Sequence, residues 1–293
     1  MMAISGKTRV CGVIGDPIEH TLSPTIHNAA FNHLGLDFVF LAFRVKAADL
    51  ESAVRGMRGL GIHGLNVTMP HKSTVISFLD EVGSTVQFLG SANTILNKNG
   101  VLSGFNTDGD GALKALRENG IELSEKKVLL LGAGGAAKAI AFALAEEVRE
   151  LAVLNRAAEK AAVLADDLNR VFGKKIVGGA LSPSAVQKNL QDADILVNAT
   201  SVGMHPNVNQ SLVAPQWLKS NLAVMDIVYN PVETKLARDA KAAGAKVISG
   251  VEMLIYQGAA SFEIWTGRAA PIEVMRRAAL NKLAQVEAGD WES

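Results

Sequence analysis

One cysteine, Cys11, stands in 293 residues, so neither an intramolecular disulfide nor a multi-cysteine zinc site can form. A reducing compartment suits such a chain. Excess charge of either sign is missing too, because 29 lysines and arginines balance 29 aspartates and glutamates. No net field draws the molecule to nucleic acid or an anionic membrane, and any anion it binds must be held by a local site. Apolar runs of the ~18 residues that a membrane span needs are absent; the most apolar region, 133–145, is interrupted by Lys138. The first residues carry Lys7 and Arg9 without the apolar stretch of a secretion signal, and the run from Val10 to Ile14 is too short to be one. A cytoplasmic protein with no membrane or nucleic-acid partner is expected. Proline is scarce, 8 residues against 27 glycines, and with 48% hydrophobic and 20% charged residues the composition excludes disordered and collagen-like classes. At roughly 150 residues per domain the length suggests two domains.

Short apolar runs alternate with segments of helical period along almost the whole chain. That pattern builds parallel sheets covered by helices, so the fold class is α/β. Strands are predicted at 9–14, 38–45, 64–69, 127–131, 150–154, 175–177, 194–198, 223–227 and 246–248. Residues 93–105, interrupted by Asn99-Gly100, read as an antiparallel hairpin, because Asn-Gly supplies the positive φ angles of a tight turn. The clearest helices are 23–34, 48–58, 108–118, 136–148, 233–243, 251–265 and 272–286. Ser23-Pro24 reads as a helix start in which the serine caps and the proline takes the first helical position. No repeat or low-complexity linker occurs. A polar stretch at 123–127 launches a buried strand into a glycine-rich loop, which marks the start of a second core.

That strand, Val128-Leu129-Leu130-Leu131, runs into Gly132-Ala133-Gly134-Gly135-Ala136-Ala137, and a helical stripe of Ile140, Leu144 and Val148 follows. Strand, glycine loop and helix form a dinucleotide-binding unit: Gly132 permits the tight turn, Gly134 admits a pyrophosphate to the backbone, and Ala137 allows close helix–strand packing. The helix N-terminus then faces the phosphates. The next strand ends in Asn155-Arg156, where an NAD-binding unit usually presents a carboxylate to the ribose hydroxyls. A guanidinium there can hold a 2′-phosphate bidentately, and Lys160 lies one helical turn on, which argues for NADP. An exposed arginine at a helix start remains the plain alternative.

Four polar segments precede this unit: His20-Thr21-Leu22-Ser23-Pro24, Asn66-Val67-Thr68-Met69-Pro70-His71-Lys72, Ser91-Ala92-Asn93-Thr94 and Asn106-Thr107-Asp108-Gly109. Three directly adjoin a predicted strand, and ligands of open α/β sheets bind beyond strand ends. Together they offer hydroxyls, carboxamides, an ammonium and a carboxylate, which suits a small polyhydroxylated acid. Each also has a structural explanation. Ser23 can cap, Asn66 and Asn93 can fix turns, Lys72 can be a solvated lysine, and Asp108 is a natural first-turn acid.

In order and spacing these segments, with Asn198-Ala199-Thr200-Ser201-Val202-Gly203-Met204 and the run from Gly250 through Met253 to Gln257, resemble the shikimate dehydrogenase family over essentially the whole chain. The resemblance implies a substrate domain of residues 1–107, completed by about 255–293, and a Rossmann-like NADP-binding domain of 108–254, with the site in the cleft. It implies reversible, NADPH-dependent reduction of 3-dehydroshikimate to shikimate in aromatic amino acid biosynthesis, by a monomer or homodimer without a metal. Lys72 and Asp108 match the family's catalytic pair. Thr21 and Ser23 match positions that bind the substrate carboxylate, and Asn66, Thr68, Asn93, Tyr229 and Gln257 match positions around the ring hydroxyls and carboxylate. For NADP the match carries over Gly132, Ala133, Gly134, Gly135, Ala136, Asn155, Arg156 and Lys160, with Ile227 and Gly250 near the nicotinamide.

Two positions depart from the pattern. Thr21 stands where serine is usual and adds a methyl at the carboxylate end; Lys160 stands where arginine is frequent. Thr21 leaves open a quinate/shikimate dehydrogenase that also uses NAD, against which Asn155-Arg156 speaks. A methylene-tetrahydrofolate dehydrogenase would need a pterin pocket in place of these small polar residues. A non-catalytic NADP-binding regulator would have been free to lose Lys72 or Asp108.

Overall fold

Near-continuous apolar strands such as Lys127–Leu131, Ile195–Asn198 and Ala223–Asp226 can be buried on both faces only in a sheet with helices on either side. The computed structural model shows that architecture and describes residues 4–287. Residues 1–3 of the N-terminal reading and 288–293 of the expected C-terminal segment lie outside the described residues. The chain divides into two compact units, one running to Thr107 and resuming at Ile255, the other spanning Asp108–Leu254.

The first unit contains β1 (Arg9–Gly15), α1 (Ser23–His33), β2 (Phe38–Arg44), α2 (Leu50–Leu60), β3 (Gly64–Val67), β4 (Glu81–Val82), α3 (Ser84–Leu89), β5 (Thr94–Lys98) and β6 (Val101–Phe105). Its sheet has the order β2-β1-β3-β5-β6-β4. β1 runs parallel to β2 and β3, whereas β5 is antiparallel to both β3 and β6. Ile14, Leu65, Val67, Ile95 and Leu102 of the sheet pack against Leu50, Val54 and Met57, the apolar stripe of α2. Cys11 is fully buried on β1, and burial pushes its thiol pKa far up.

The second unit continues with α4 (Asp108–Glu118), β7 (Lys127–Leu131), α5 (Gly135–Glu147), β8 (Glu150–Asn155), α6 (Ala158–Phe172), β9 (Ile176–Ala180), α7 (Pro183–Leu190), β10 (Ile195–Asn198), β11 (Ala223–Asp226), α8 (Lys235–Ala242) and β12 (Lys246–Ile248). α9 (Gly250–Thr266) carries the chain back to the first unit, which α10 (Ile272–Glu287) completes. The second sheet is parallel throughout, in the order β12-β11-β10-β7-β8-β9. That is the doubly wound Rossmann order, with the topological switch between β7 and β10. Leu129, Leu131, Leu196 and Val224 form its core with Val186 and Leu190 of α7 and Leu236 and Ala240 of α8. Among the described residues no helix is long and apolar enough to cross a membrane.

The α/β class and the Asn99-Gly100 hairpin are observed, with φ of 55° at Asn99 and 89° at Gly100. One capping expectation fails. Ser23 does not cap α1: Leu22 occupies the cap position, already in helical backbone, and no side-chain cap bond forms. Ser23 lies inside the helix, and its N–H is accepted by Thr21 Oγ1 at 3.3 Å. A second Ser-Pro pair does what was expected of the first, for Ser182 Oγ accepts the Ala185 N–H at 3.2 Å at the start of α7.

Gly178 sets how closely α6 lies on β9. A Cβ there would stand 2.1 Å from the Ala161 carbonyl oxygen, which belongs to the helix backbone. Gly178→Ala should therefore cost about 1–3 kcal/mol through overpacking. An unchanged denaturant midpoint would show that the helix yields without strain.

Candidate active site

The first unit gathers polar side chains where β1 and β3 end and the β5–β6 hairpin begins and ends. In antiparallel register Asn66 of β3 lies opposite Thr94 of β5, which in turn lies opposite Phe105 of β6. The register brings Asn66, Asn93, Thr94 and Thr107 to one sheet edge. The buried Asn66 carboxamide directs its nitrogen to the Asn93 carbonyl (3.2 Å), Thr94 Oγ1 (3.2 Å) and Ser261 Oγ (3.0 Å). Asn93 Nδ2 donates to Thr107 Oγ1 at 2.9 Å, while Asn93 Oδ1 accepts from the Thr107 N–H at 2.9 Å and from Thr94 Oγ1 at 3.0 Å. Thr94 and Ser261 share a hydroxyl–hydroxyl bond of 2.7 Å, and Ser261 Oγ donates to the Gln257 carbonyl at 3.2 Å.

Lys72 is joined to this edge through its backbone. Thr68 donates its N–H to the Ile14 carbonyl (3.0 Å) and accepts from the His71 N–H (3.0 Å), which closes the turn after β3. The His71 ring, itself buried, sits 2.6 Å from the Val45 carbonyl and so carries its proton on that nitrogen. The Lys72 carbonyl then accepts the Ala92 N–H at 2.8 Å, one residue before Asn93. The loop after β1 approaches Thr68 at Gly15 and Ile18, and Thr21 and Ser23 follow in the chain. A Cβ on Gly15 would stand 2.4 Å from Thr68 Cγ2 and 3.1 Å from Ile18 Cδ1, and the Ile18 carbonyl accepts the Thr21 N–H. Thr21 Oγ1 donates to Ser23 Oγ at 3.2 Å, so the two hydroxyls act as a pair.

In the second unit Asp108 is a buried first-turn residue of α4, where the helix dipole favours a negative charge. It follows directly on Thr107, the residue fastened to Asn93. The other predicted positions of this unit, Lys160 excepted, lie at the carboxyl ends of the strands. Gly132 has φ of 112°, and a Cβ on it would meet the Ala199 carbonyl oxygen at 2.6 Å. Only glycine satisfies both constraints. The Ile227 N–H donates to the Asn198 carbonyl at 3.1 Å, and Gly250 lies so close to Ile227 that a Cβ would be 2.5 Å from its carbonyl oxygen. Asn155 ends β8 with its amide on the Ala157 carbonyl at 3.0 Å. Arg156 and Lys160 are exposed, the latter in the first turn of α6. Burial raises the pKa of the Tyr229 hydroxyl.

This edge fits a dinucleotide. Around Gly134 and Gly135 an added Cβ would meet nothing within 4 Å, so open space lies over the N-terminus of α5, whose cap residue Gly134 offers no side chain. Backbone N–H groups there can approach a pyrophosphate. No carboxylate occupies the end of β8, and the exposed Arg156 guanidinium is available to a 2′-phosphate.

Comparison with known proteins identifies the family. Residues 13–95 match the model of the shikimate dehydrogenase substrate binding domain, 114–243 that of shikimate / quinate 5-dehydrogenase, and 250–280 that of the shikimate 5′-dehydrogenase C-terminal domain. A shikimate dehydrogenase (NADP(+)) of Methanopyrus kandleri is 47% identical over 96% of this chain and 98% of its own length. The chain belongs to the shikimate dehydrogenase family. Among solved family structures, a shikimate dehydrogenase in complex with NADP+ superposes with a TM-score of 0.90 at 42% identity, covering 96% of this chain and 98% of that one. The Listeria monocytogenes shikimate 5-dehydrogenase in complex with shikimate and NAD gives 0.89 at 36% identity, covering 94% and 98%.

Residue-by-residue matching to the family does not single out Ser261 or Asp226. Ser261 is fully buried and binds Asn66 and Thr94 from the far end of the chain. Its position four residues after Gln257, one turn on along the same helix face, is the signal that marks it. Asp226 is the hub of the second unit's edge. Its carboxylate accepts from Asn198 Nδ2 (2.9 Å), Thr234 Oγ1 (2.7 Å) and the Val228 N–H (3.2 Å), while Asn198 Oδ1 holds the Thr200 hydroxyl at 2.7 Å. Burial nevertheless raises the Asp226 pKa, as desolvation outweighs the three donors.

The buried titrating groups set a pH dependence of stability. Burial pushes the His27 pKa down to about 3 from 6.5. Between those values the unfolded chain binds a proton that the native state refuses, so this residue's contribution is present above about pH 6.5 and is lost as pH falls toward 3. Asp226, with its pKa raised, acts in the opposite sense just above its ordinary value of 3.8. Thermal melting should therefore fall between pH 7 and pH 5, and His27→Phe should flatten that slope. An equal slope in the variant would assign the loss to other groups.

Proposed function

We propose that the chain catalyses the reversible, NADPH-dependent reduction of 3-dehydroshikimate to shikimate, a step of aromatic amino acid biosynthesis. The observation that carries this reading is the attachment of Lys72 to the Asn93 network, which puts an ammonium-bearing residue on an edge of carboxamides and hydroxyls suited to a hydroxylated acid. Bound NADPH supplies the hydride that C3 of the substrate accepts. A ketone taking up hydride becomes an alkoxide, and the Lys72 ammonium stabilises that charge as it develops and delivers a proton to the C3 oxygen. Asp108 orients the lysine and a neighbouring substrate hydroxyl. Thr21 and Ser23 bind the carboxylate, while Asn66, Thr68, Asn93, Tyr229 and Gln257 surround the ring substituents.

Gly132, Ala133, Gly134, Gly135 and Ala136 hold the pyrophosphate, Ile227 and Gly250 border the nicotinamide, and Asn155, Arg156 and Lys160 hold the ribose end with its 2′-phosphate. NADP is preferred over NAD because a phosphate dianion gains bidentate bonds from the guanidinium that a ribose hydroxyl cannot match. The setting proposed is the cytoplasm, with the enzyme a monomer or homodimer.

Loss of NADPH absorbance on mixing with 3-dehydroshikimate tests the reaction directly; no turnover with that ketone or with 3-dehydroquinate, using NADPH or NADH, would end the enzymatic reading. Lys72→Ala should lower kcat by ~100- to 10,000-fold with little change in KM, because its ammonium matters most in the transition state. An unchanged kcat would reject that role. For Arg156→Ala, NADPH binding should weaken ~10-fold or more while NADH binding holds. Equal losses for both cofactors would refute the contact with the 2′-phosphate.

A further inference from the structure

His27 is, with Asn66 and Ser91, among the described buried side chains with a polar atom that finds no partner. Its side chain is wholly buried on α1, and neither ring nitrogen has a hydrogen-bond partner of full geometry. The ring stacks on Phe40 at 4.4 Å and 11°, and Trp265 lies 5.3 Å away. Apolar packing alone would favour a phenyl ring here, because a buried polar group without a partner is costly. A second orphan lies nearby: Asn66 Oδ1 is equally buried and equally without a partner.

Successive turns of α9 bring the two together. A Cβ on Gly258 would be 3.6 Å from His27 Nε2, Ser261 binds Asn66, and Trp265 flanks the imidazole. Residues three and four apart share one helix face, so His27 and Asn66 line the same stretch of α9. The amide's orientation is forced as well. The Asn93 carbonyl can only accept, so Asn66 must direct its nitrogen there and leave Oδ1 in need of a donor.

We propose that His27 is a positioning residue of the substrate site: its ring N–H serves Asn66 Oδ1 and thereby fixes the carboxamide that orders Asn93, Thr94 and Ser261. Burial suits the role. A ring kept neutral through the physiological range has one N–H to give, and Asn66 is the polar side chain that opposes the effect of burial on it. The site affected is the one proposed above to bind 3-dehydroshikimate, so the inference rests on that reading.

The test combines kinetics with NMR of the full chain. His27→Phe should raise KM for 3-dehydroshikimate ~10-fold and leave KM for NADPH unchanged, with His27→Gln recovering part of the loss. In an Asn66→Ala background His27→Phe should cost nothing further, because the interaction is already gone. Multiplying losses, or a rise in both KM values, would reduce His27 to a packing residue. Independently of turnover and of the folding of any His27 variant, 15N-labelled protein should show a solvent-protected imidazole N–H that shifts in Asn66→Ala. If no imidazole N–H responds to that change, the proposal falls. Absence of turnover by the unmodified chain would instead remove the proposed activity and leave the NMR result standing.

Discussion

Asn93 holds the polar edge of the first unit together because a carboxamide both donates and accepts. Its amide takes the Thr107 hydroxyl, its carbonyl oxygen takes the Thr107 N–H, and its backbone carbonyl takes Asn66. Thr107 directly precedes Asp108, and the Lys72 carbonyl accepts the N–H of Ala92, the residue before Asn93, so the bonds around Asn93 extend in backbone to Thr107 and to Lys72. Ser261 closes the arrangement from α9. In a buried setting such a network is stable only when its members are satisfied together, which gives the edge a single arrangement.

The second unit works by a different device. Its edge is shaped by the near absence of side chains: Gly132 lets β7 turn against Ala199, Gly250 lets α9 start against Ile227, and Gly134 and Gly135 leave open space over α5. Where side chains do appear they brace the loops. Asp226 and Asn198 tie the segments that follow β10 and β11 to each other. One unit therefore presents converging polar groups, the other exposed backbone and a helix terminus.

Much of this was legible in the sequence, for physical reasons that differ by element. The Rossmann half was plain because buried parallel strands read as unbroken apolar runs and the glycine loop joins a strand to a helix. Asn99-Gly100 announced its turn through its dihedral demand. The start of α6 is read beside Arg156, but the helix is not among the clearest ones although Ala161, Leu164, Ala165 and Leu168 form a proper stripe, because two of the four members are alanine and contrast weakly with their surroundings. β9 was placed too early and too short, since Gly178 and Gly179 carry no strand signal of their own. Ser23 and Ser182 both stand in a Leu-Ser-Pro run, so the local sequence does not distinguish the one that fails to cap from the one that caps. The candidate residues were recognisable as segments, but the bond from Ser261 to Asn66 spans 195 positions and has no local trace.

Cys11 carries a practical corollary. It is the sole thiol of the chain, it has no exposed surface, and its high pKa keeps it protonated. Thiolate is the nucleophilic form, so the folded molecule should react slowly with maleimides and alkylating agents. A single cysteine introduced at any chosen surface position would take up a fluorophore or spin label without background, and the native thiol would answer only when β1 itself unfolds.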